Sequence, residues 1–222
     1  MYQHILFDLD GTLTDPYMGI TNSIIYSLQK LNIEAPDNAA LISFIGPPLH
    51  ESYETFYQLS GDINAEAIKL YREYFSDKGM FENEVYPGIP LLLQALKSMD
   101  KKLYIATSKP TYFAVPILEH FNLAHYFESI TGSELDGTRT NKAEVIQHVI
   151  DTHGLNRDEC IMIGDRKHDI IGGQKNNIDT IGVLYGYGDA DEIRQAQPTY
   201  TIATVDYLLD AITNDTQYFD HI

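Results

Sequence analysis

The two carboxylates of Phe7-Asp8-Leu9-Asp10-Gly11-Thr12-Leu13 are the sharpest chemical feature of the chain. In an extended segment the two-residue spacing sends the Asp8 and Asp10 side chains the same way. Charges so crowded repel each other, and such a pair needs a cation or a shared proton. Gly11 lets the backbone turn sharply beside a ligand. The competing reading is a strand-end turn whose Asp residues cap a helix. Gly164-Asp165-Arg166-Lys167-His168-Asp169 brings two further carboxylates, Asp165 and Asp169. Hard oxygen ligands from several loops suit Mg²⁺, which takes one or two carboxylates with waters and a substrate phosphate. A capped helix start with solvated charges is the plainer alternative.

Two other segments are weaker on their own. Ile105-Ala106-Thr107-Ser108-Lys109-Pro110 offers hydroxyls and backbone N–H groups at a helix start, a natural anion site. The same residues also read as an ordinary N-cap with Pro110 just inside the helix. Lys142 follows Gly137-Thr138-Arg139-Thr140-Asn141 at the head of a helical pattern, where a cation sits poorly with the helix dipole. Most such lysines simply point into water.

Short apolar runs must carry these residues. His4 to Asp8, Leu103 to Thr107, Ser129 to Gly132, Cys160 to Gly164 and Thr180 to Leu184 read as strands. Their near-continuous hydrophobicity fits a sheet buried on both faces, hence parallel. Helical patterns lie between them, from Pro90 to Met99 and from Asn141 to His153, the latter stopped by Gly154. The alternation predicts a doubly wound, Rossmann-like parallel-sheet α/β core. From Pro16 to Phe81 only helical stripes are found: Ile20, Ile24, Ile25, Leu28 and Leu31; then Tyr53, Phe56 and Tyr57; then Ile68, Tyr71, Tyr74 and Phe75. This stretch reads as an all-helical subdomain inserted after the first strand, residues 16–81, within a core of residues 1–15 and 82–222. Helices docked on the sheet edge are the alternative. All the chemical residues then fall at strand ends or helix starts along one sheet edge, where ligands of such sheets bind.

Composition narrows the partners. The chain has 222 residues, with 32 acidic and 15 basic side chains and a formal net charge of −17. Such a field repels polyanions, so nucleic acid polymers and anionic membranes are not expected partners. It would also repel a small phosphorylated substrate unless a metal or a focused Lys made the site locally attractive. No apolar run approaches the roughly 20 residues of a membrane span. The opening Met-Tyr-Gln-His-Ile-Leu-Phe-Asp meets an acidic residue too soon for a secretion signal. The single cysteine, Cys160, lies in an apolar run and reads as packing, which suits a reducing cytoplasm. A monomer or small homo-oligomer is expected.

Asp-x-Asp-Gly-Thr with Gly-Asp-x-x-x-Asp, and Thr107 and Lys142 between them, resembles the four motifs of the haloacid dehalogenase-like superfamily over nearly the whole chain. The 16–81 insert is similar to the helical cap that many members carry after the first motif. The resemblance implies a Mg²⁺-dependent phosphatase in which Asp8 attacks phosphorus and Asp10 serves as acid and then base. The Asp8 carboxylate, the Asp10 backbone carbonyl and Asp165 would hold Mg²⁺, with Asp169 assisting. Thr107, Lys142 and the neighbouring Ser108 would bind the phosphoryl oxygens. Substrate choice would lie in the cap, where Gly46 and Pro47 of Ile45-Gly46-Pro47-Pro48-Leu49-His50 and Arg72 are candidates; a helix break and a solvated helix face are their plainer readings. A phosphomutase would keep both Asp residues, a dehalogenase would not need Asp10, and a phospho-receiver regulator would be shorter and capless. The Gly-Pro-Pro turn, Thr-Ser-Lys-Pro and Leu-Tyr-Gly-Tyr-Gly look similar to a bacterial branch described as 5′-nucleotidases and often labelled phosphoglycolate phosphatases. That branch points to a nucleoside monophosphate, with phosphoglycolate second. Tyr185-Gly186-Tyr187-Gly188 reads as a flexible loop near the site edge with no definite role.

Overall fold

The computed structural model describes residues 2–213. Its strands are β1 (His4–Phe7), β2 (Thr14–Asp15), β3 (Glu84–Val85), β4 (Lys102–Pro110), β5 (Phe127–Ser133), β6 (Cys160–Gly164), β7 (Asp179–Val183) and β8 (Tyr200–Ile202). Six of them form one parallel sheet in the order β5-β4-β1-β6-β7-β8. Ile5, Leu6 and Phe7 of β1 and Cys160 to Ile163 of β6 are fully buried, because helices cover both faces of the central strands. The edge strand β5 is half-exposed, and its Glu128 meets Lys97 at 3.0 Å and Lys102 at 3.5 Å. The doubly wound α/β core is therefore as the residue pattern led us to expect. The strand β8 was not expected, since three residues on an edge leave little periodicity to read.

The chain divides into two compact units, residues up to Thr14 with those from Val85 onward, and Asp15–Glu84. The short strands β2 and β3, which pair with each other, lie where it passes from one unit to the other. The last part of the expected core segment, residues 214–222, lies outside the described residues.

The second unit holds α1 (Tyr17–Lys30), α2 (Leu49–Tyr57) and α3 (Gly61–Asp77), with short 3₁₀ turns between. Ile20, Ile24 and Leu28 of α1 form its buried stripe, joined by Tyr53, Tyr71 and Phe75. Three small polar residues of α1 are buried alongside them. Ser23 donates to Gly19 O, Thr21 to Tyr17 O, and Ser27 shares a hydrogen bond with the Tyr53 hydroxyl. Phe56, expected in the stripe, is 48% exposed and rests one ring face on Phe44 at 5.1 Å. The nine-residue α2 buries only the Tyr53 end of that face.

In the sheet unit, α4 (Ile89–Ser98), α5 (Thr111–His120), α6 (Lys142–His153), α7 (Lys167–Lys175), α8 (Ala190–Ala196) and α9 (Leu208–Thr213) follow the strands in turn. The Asn141 side chain caps α6 by accepting from Ala143 N–H, and Gly154 closes it in the left-handed conformation. Buried Asn176 ties α6 to α7, donating to Ala143 O and Gly172 O at 2.9 and 2.8 Å. Those two helices carry Lys142 and Asp169. Replacing Asn176 by Ala removes the donor from the buried Gly172 carbonyl and the half-buried Ala143 carbonyl and is expected to cost about 2 kcal/mol in urea unfolding. An unchanged midpoint would show that water satisfies them instead.

Candidate active site

Sheet register brings three chain segments to one place. Phe7 lies opposite Ile105 on one side and Ile163 on the other. One residue further on, Asp8 therefore stands between Ala106 and Gly164, with Thr107 and Asp165 just beyond. This is the carboxyl end of β1, where the strand order reverses between β4 and β6 and open α/β sheets leave a crevice.

The Lys142 ammonium occupies the centre. It lies 2.8 Å from Oδ1 of both Asp8 and Asp169 and donates to Ala106 O at 3.0 Å, and its side chain is 3% exposed. Burial pulls its pKa down, but the Asp169 and Asp8 charges outweigh that and hold it above the ordinary value. Asp8 Oδ1 also accepts from Leu9 N–H at 2.7 Å. Among the described residues no donor is hydrogen-bonded to its second oxygen, which is left available.

Asp8, Asp165 and Asp169 are all buried, and one ligand atom from each lies within 4.8 Å of the others. One ammonium among three carboxylates leaves two charges uncompensated, which is the charge of one divalent cation. The donor set, hard carboxylate oxygens alone, fits such a cation. Without it Asp165 is pushed up to about 8 by its burial and by the Asp169 and Asp8 charges, against the N–H it accepts from Tyr187. Asp169 is raised too, chiefly by burial, against the pull of Lys142. Gly164 makes room for it, since a Cβ there would fall 2.1 Å from the Asp169 carboxyl carbon.

Asp10 stands apart from that cluster. Its Oδ2 pairs with Lys109 Nζ at 2.8 Å, both groups being largely buried, and its Oδ1 is buried with no hydrogen-bond partner among the described residues. Burial raises its pKa although Lys109 opposes the rise. Lys109 is the residue that sequence reasoning passed over. The segment read as a helix start, with an N-cap that puts Pro110 just inside the helix as one of its two readings. Instead β4 continues to Pro110 and α5 starts at Thr111. Extended geometry then puts Thr107 and Lys109 on one side of the strand, and Lys109 N–H donates to Thr107 Oγ1 at 3.2 Å.

Thr107 is buried at the strand end, whereas Ser108 is half-buried and its carbonyl accepts from Ser133. Gly46, Pro47 and Arg72 belong to the helical unit. Gly46 there adopts φ +107, Pro47 is half-buried in the turn before α2, and Arg72 is half-buried on α3. Cys160 is packed in the core of the sheet unit and donates its thiol to Asn156 O at 3.1 Å.

Two outcomes follow from the charges. Asp165 keeps a proton in the folded, metal-free protein that an unfolded carboxylate of pKa near 4 has lost. Its contribution to stability is thus complete below about pH 4 and is lost as pH rises toward about 8. Asp165→Asn should gain stability on the wild type by up to about 1.4 kcal/mol per pH unit across that window in EDTA. Parallel pH profiles would refute this. Lys109→Met, which strands the buried Asp10 carboxylate, should cost roughly 3 kcal/mol in urea unfolding near neutral pH.

The comparisons agree with this geometry. The family model described as haloacid dehalogenase-like hydrolase matches residues 5–183. A 5′-nucleotidase of Pseudomonas aeruginosa is 50% identical, with 91% of each chain covered. A protein of Mycobacterium tuberculosis named tyrosine-protein kinase PtkA is 36% identical over 95% of this chain and 72% of its own. The crystal structure of a predicted phosphatase from Clostridium acetobutylicum superposes with a TM-score of 0.92 at 48% identity, covering 96% of this chain and 98% of that one. No helix among the described residues is long and apolar enough to cross a membrane. With the model matched from the first strand to the seventh, the chain belongs to the haloacid dehalogenase-like hydrolase family, as one of its phosphatases.

Proposed function

We propose that the protein hydrolyses a small phosphate monoester, most readily a nucleoside 5′-monophosphate, through an aspartyl phosphate on Asp8, with Mg²⁺ as its cation. The observation that carries this reading is the Asp8 carboxylate, held by Leu9 N–H and Lys142 on one oxygen only. The other oxygen attacks phosphorus and the ester P–O bond breaks. Asp10, two residues on, gives its proton to the departing oxygen, and its raised pKa favours that protonated start. It then takes a proton from the water that attacks the aspartyl phosphate, releasing inorganic phosphate and restoring Asp8. Thr107 and Lys142 hold the equatorial oxygens, with Ser108 beside them, and Lys109 stabilises the charge that Asp10 carries between giving up its proton and taking one from water. Asp8, Asp165, Asp169 and the Asp10 carbonyl would hold Mg²⁺, which would supply the positive charge that lets an acidic protein accept a phosphate dianion.

The nucleotide assignment leans on the Pseudomonas aeruginosa relative and its name. In this reading residues 16–81 act as a cap on a cytoplasmic enzyme, and Gly46, Pro47 and Arg72 contribute to substrate choice.

The test is phosphate release from nucleoside 5′-monophosphates, phosphoglycolate and sugar phosphates, with and without Mg²⁺. Release should require the metal and be fastest with a nucleotide. Asp8→Asn should lower it by at least about 10³-fold and Asp10→Asn by about 10²- to 10⁴-fold. Fastest release from phosphoglycolate would move the substrate assignment, and release that survives Asp8→Asn would end the covalent mechanism. Phosphate moved from ATP to tyrosine, with no hydrolysis, would place the activity with that named for the mycobacterial relative.

A further inference from the structure

The loop after β7 touches the site in several ways that the proposed reaction does not use. Tyr187 N–H donates to Asp165 Oδ2 at 2.8 Å. A Cβ on Gly186 would fall 2.3 Å from Gly11 O and 2.4 Å from Asp165 Cβ, and one on Gly188 would fall 1.8 Å from Asp165 O. Gly11, at φ +80, also comes so near that its own Cβ would be 2.2 Å from Asp165 Oδ2. The Asp165 side chain is thus packed against two stretches of backbone whose closeness only glycine allows. Half-buried Tyr185 ties this loop to the Gly11–Thr12 turn, donating its hydroxyl to Thr12 O at 2.9 Å with its ring set edge-on to Tyr86 at 5.1 Å. Thr12 in turn reaches Asp165 Oδ1 at 3.4 Å.

We infer that Tyr185–Gly188 is a positioning element for the cation site, fixing the rotation of Asp165 through the Tyr187 N–H and the Gly186 backbone. A carboxylate free to turn about its Cβ–Cγ bond must be ordered when a cation binds. One already gripped on Oδ2 and packed against the Gly11 and Gly186 backbone has lost that freedom beforehand, so the same carboxylate binds more tightly. Tyr185 acts one step further out, by holding the Gly11–Thr12 turn against Asp165. The inference rests on the reading of Asp165 as a ligand of the divalent cation.

The test is the rise in melting temperature on titrating the substrate-free protein with MgCl₂, for the wild type, Tyr185→Phe and Gly186→Ala, each compared with its own melting in EDTA. Tyr185→Phe keeps the ring and removes one hydrogen bond, so its apparent Mg²⁺ dissociation constant should rise about three- to tenfold. Gly186→Ala, which forces backbone and carboxylate apart, should weaken Mg²⁺ about ten- to a hundredfold. Melting in EDTA should move little for Tyr185→Phe. Wild-type Mg²⁺ affinity in both folded variants, or a loss of stability in EDTA with Mg²⁺ affinity unchanged, would overturn the inference while leaving the cation reading in place. If Gly186→Ala does not fold, Tyr185→Phe decides alone. A wild type that Mg²⁺ does not stabilise would overturn the cation reading and this inference together.

Discussion

The ammonium of Lys142 is the interaction on which the site depends. Three buried carboxylates cannot share a dry pocket without it, and its reach to Asp8, Asp169 and Ala106 O ties α6, α7, β1 and β4 at one atom. The arrangement also explains why a lysine stands at a helix start, where the dipole disfavours it. Two nearby carboxylate charges outweigh the partial charge of a helix end. The single ammonium does not neutralise the pocket, and that shortfall is what makes a divalent cation fit.

Everything else in the sheet unit serves to bring these groups together without giving them freedom to move. The central strands end in the site and are apolar along their length, so burial on both faces fixes their register. Asn176 then joins the two helices that bring Lys142 and Asp169, and Arg166 grips Glu192 from the start of α7, with Nε to Oε1 at 2.9 Å. Burial raises the free energy of every charged group here. The site is accordingly built from pairs, Lys109 with Asp10 and Lys142 with Asp8 and Asp169.

What could be read in the residues follows from where periodicity and residue type agree. The strand-end motifs of Asp8 and Asp165 stood out because apolar runs stop abruptly at acidic residues beside glycine. Lys142 was legible only weakly, as an awkward charge at a helix start. The Lys109 pairing was hidden because Thr-Ser-Lys-Pro satisfies helix-start chemistry equally well, and only the continuation of β4 to Pro110 decides between the two. The loop at Tyr187 was illegible for a different reason. Its contribution is a backbone N–H, which every residue but proline has, so no side-chain pattern announces it. In the helical unit, spacing identified the stripes but not their limits, because the short α2 buries only its Tyr53 end and leaves Phe56 outside.

The order of the strands also bears on how the chain is made. Ile5-Leu6-Phe7, made well before its neighbours, lies in the middle of the sheet, and its partners begin at Lys102 and Cys160. At roughly 5–20 residues per second, a growing chain carries this apolar tripeptide for several seconds before either neighbour exists. The 15–84 unit is made in that interval from local helical contacts, which form quickly. A core of high sequence separation is thus left waiting while an inserted unit of low separation assembles. The nascent protein is most exposed to self-association just before β4 leaves the ribosome, and the acidity of the chain counts most at that stage, as electrostatic repulsion between unfinished copies.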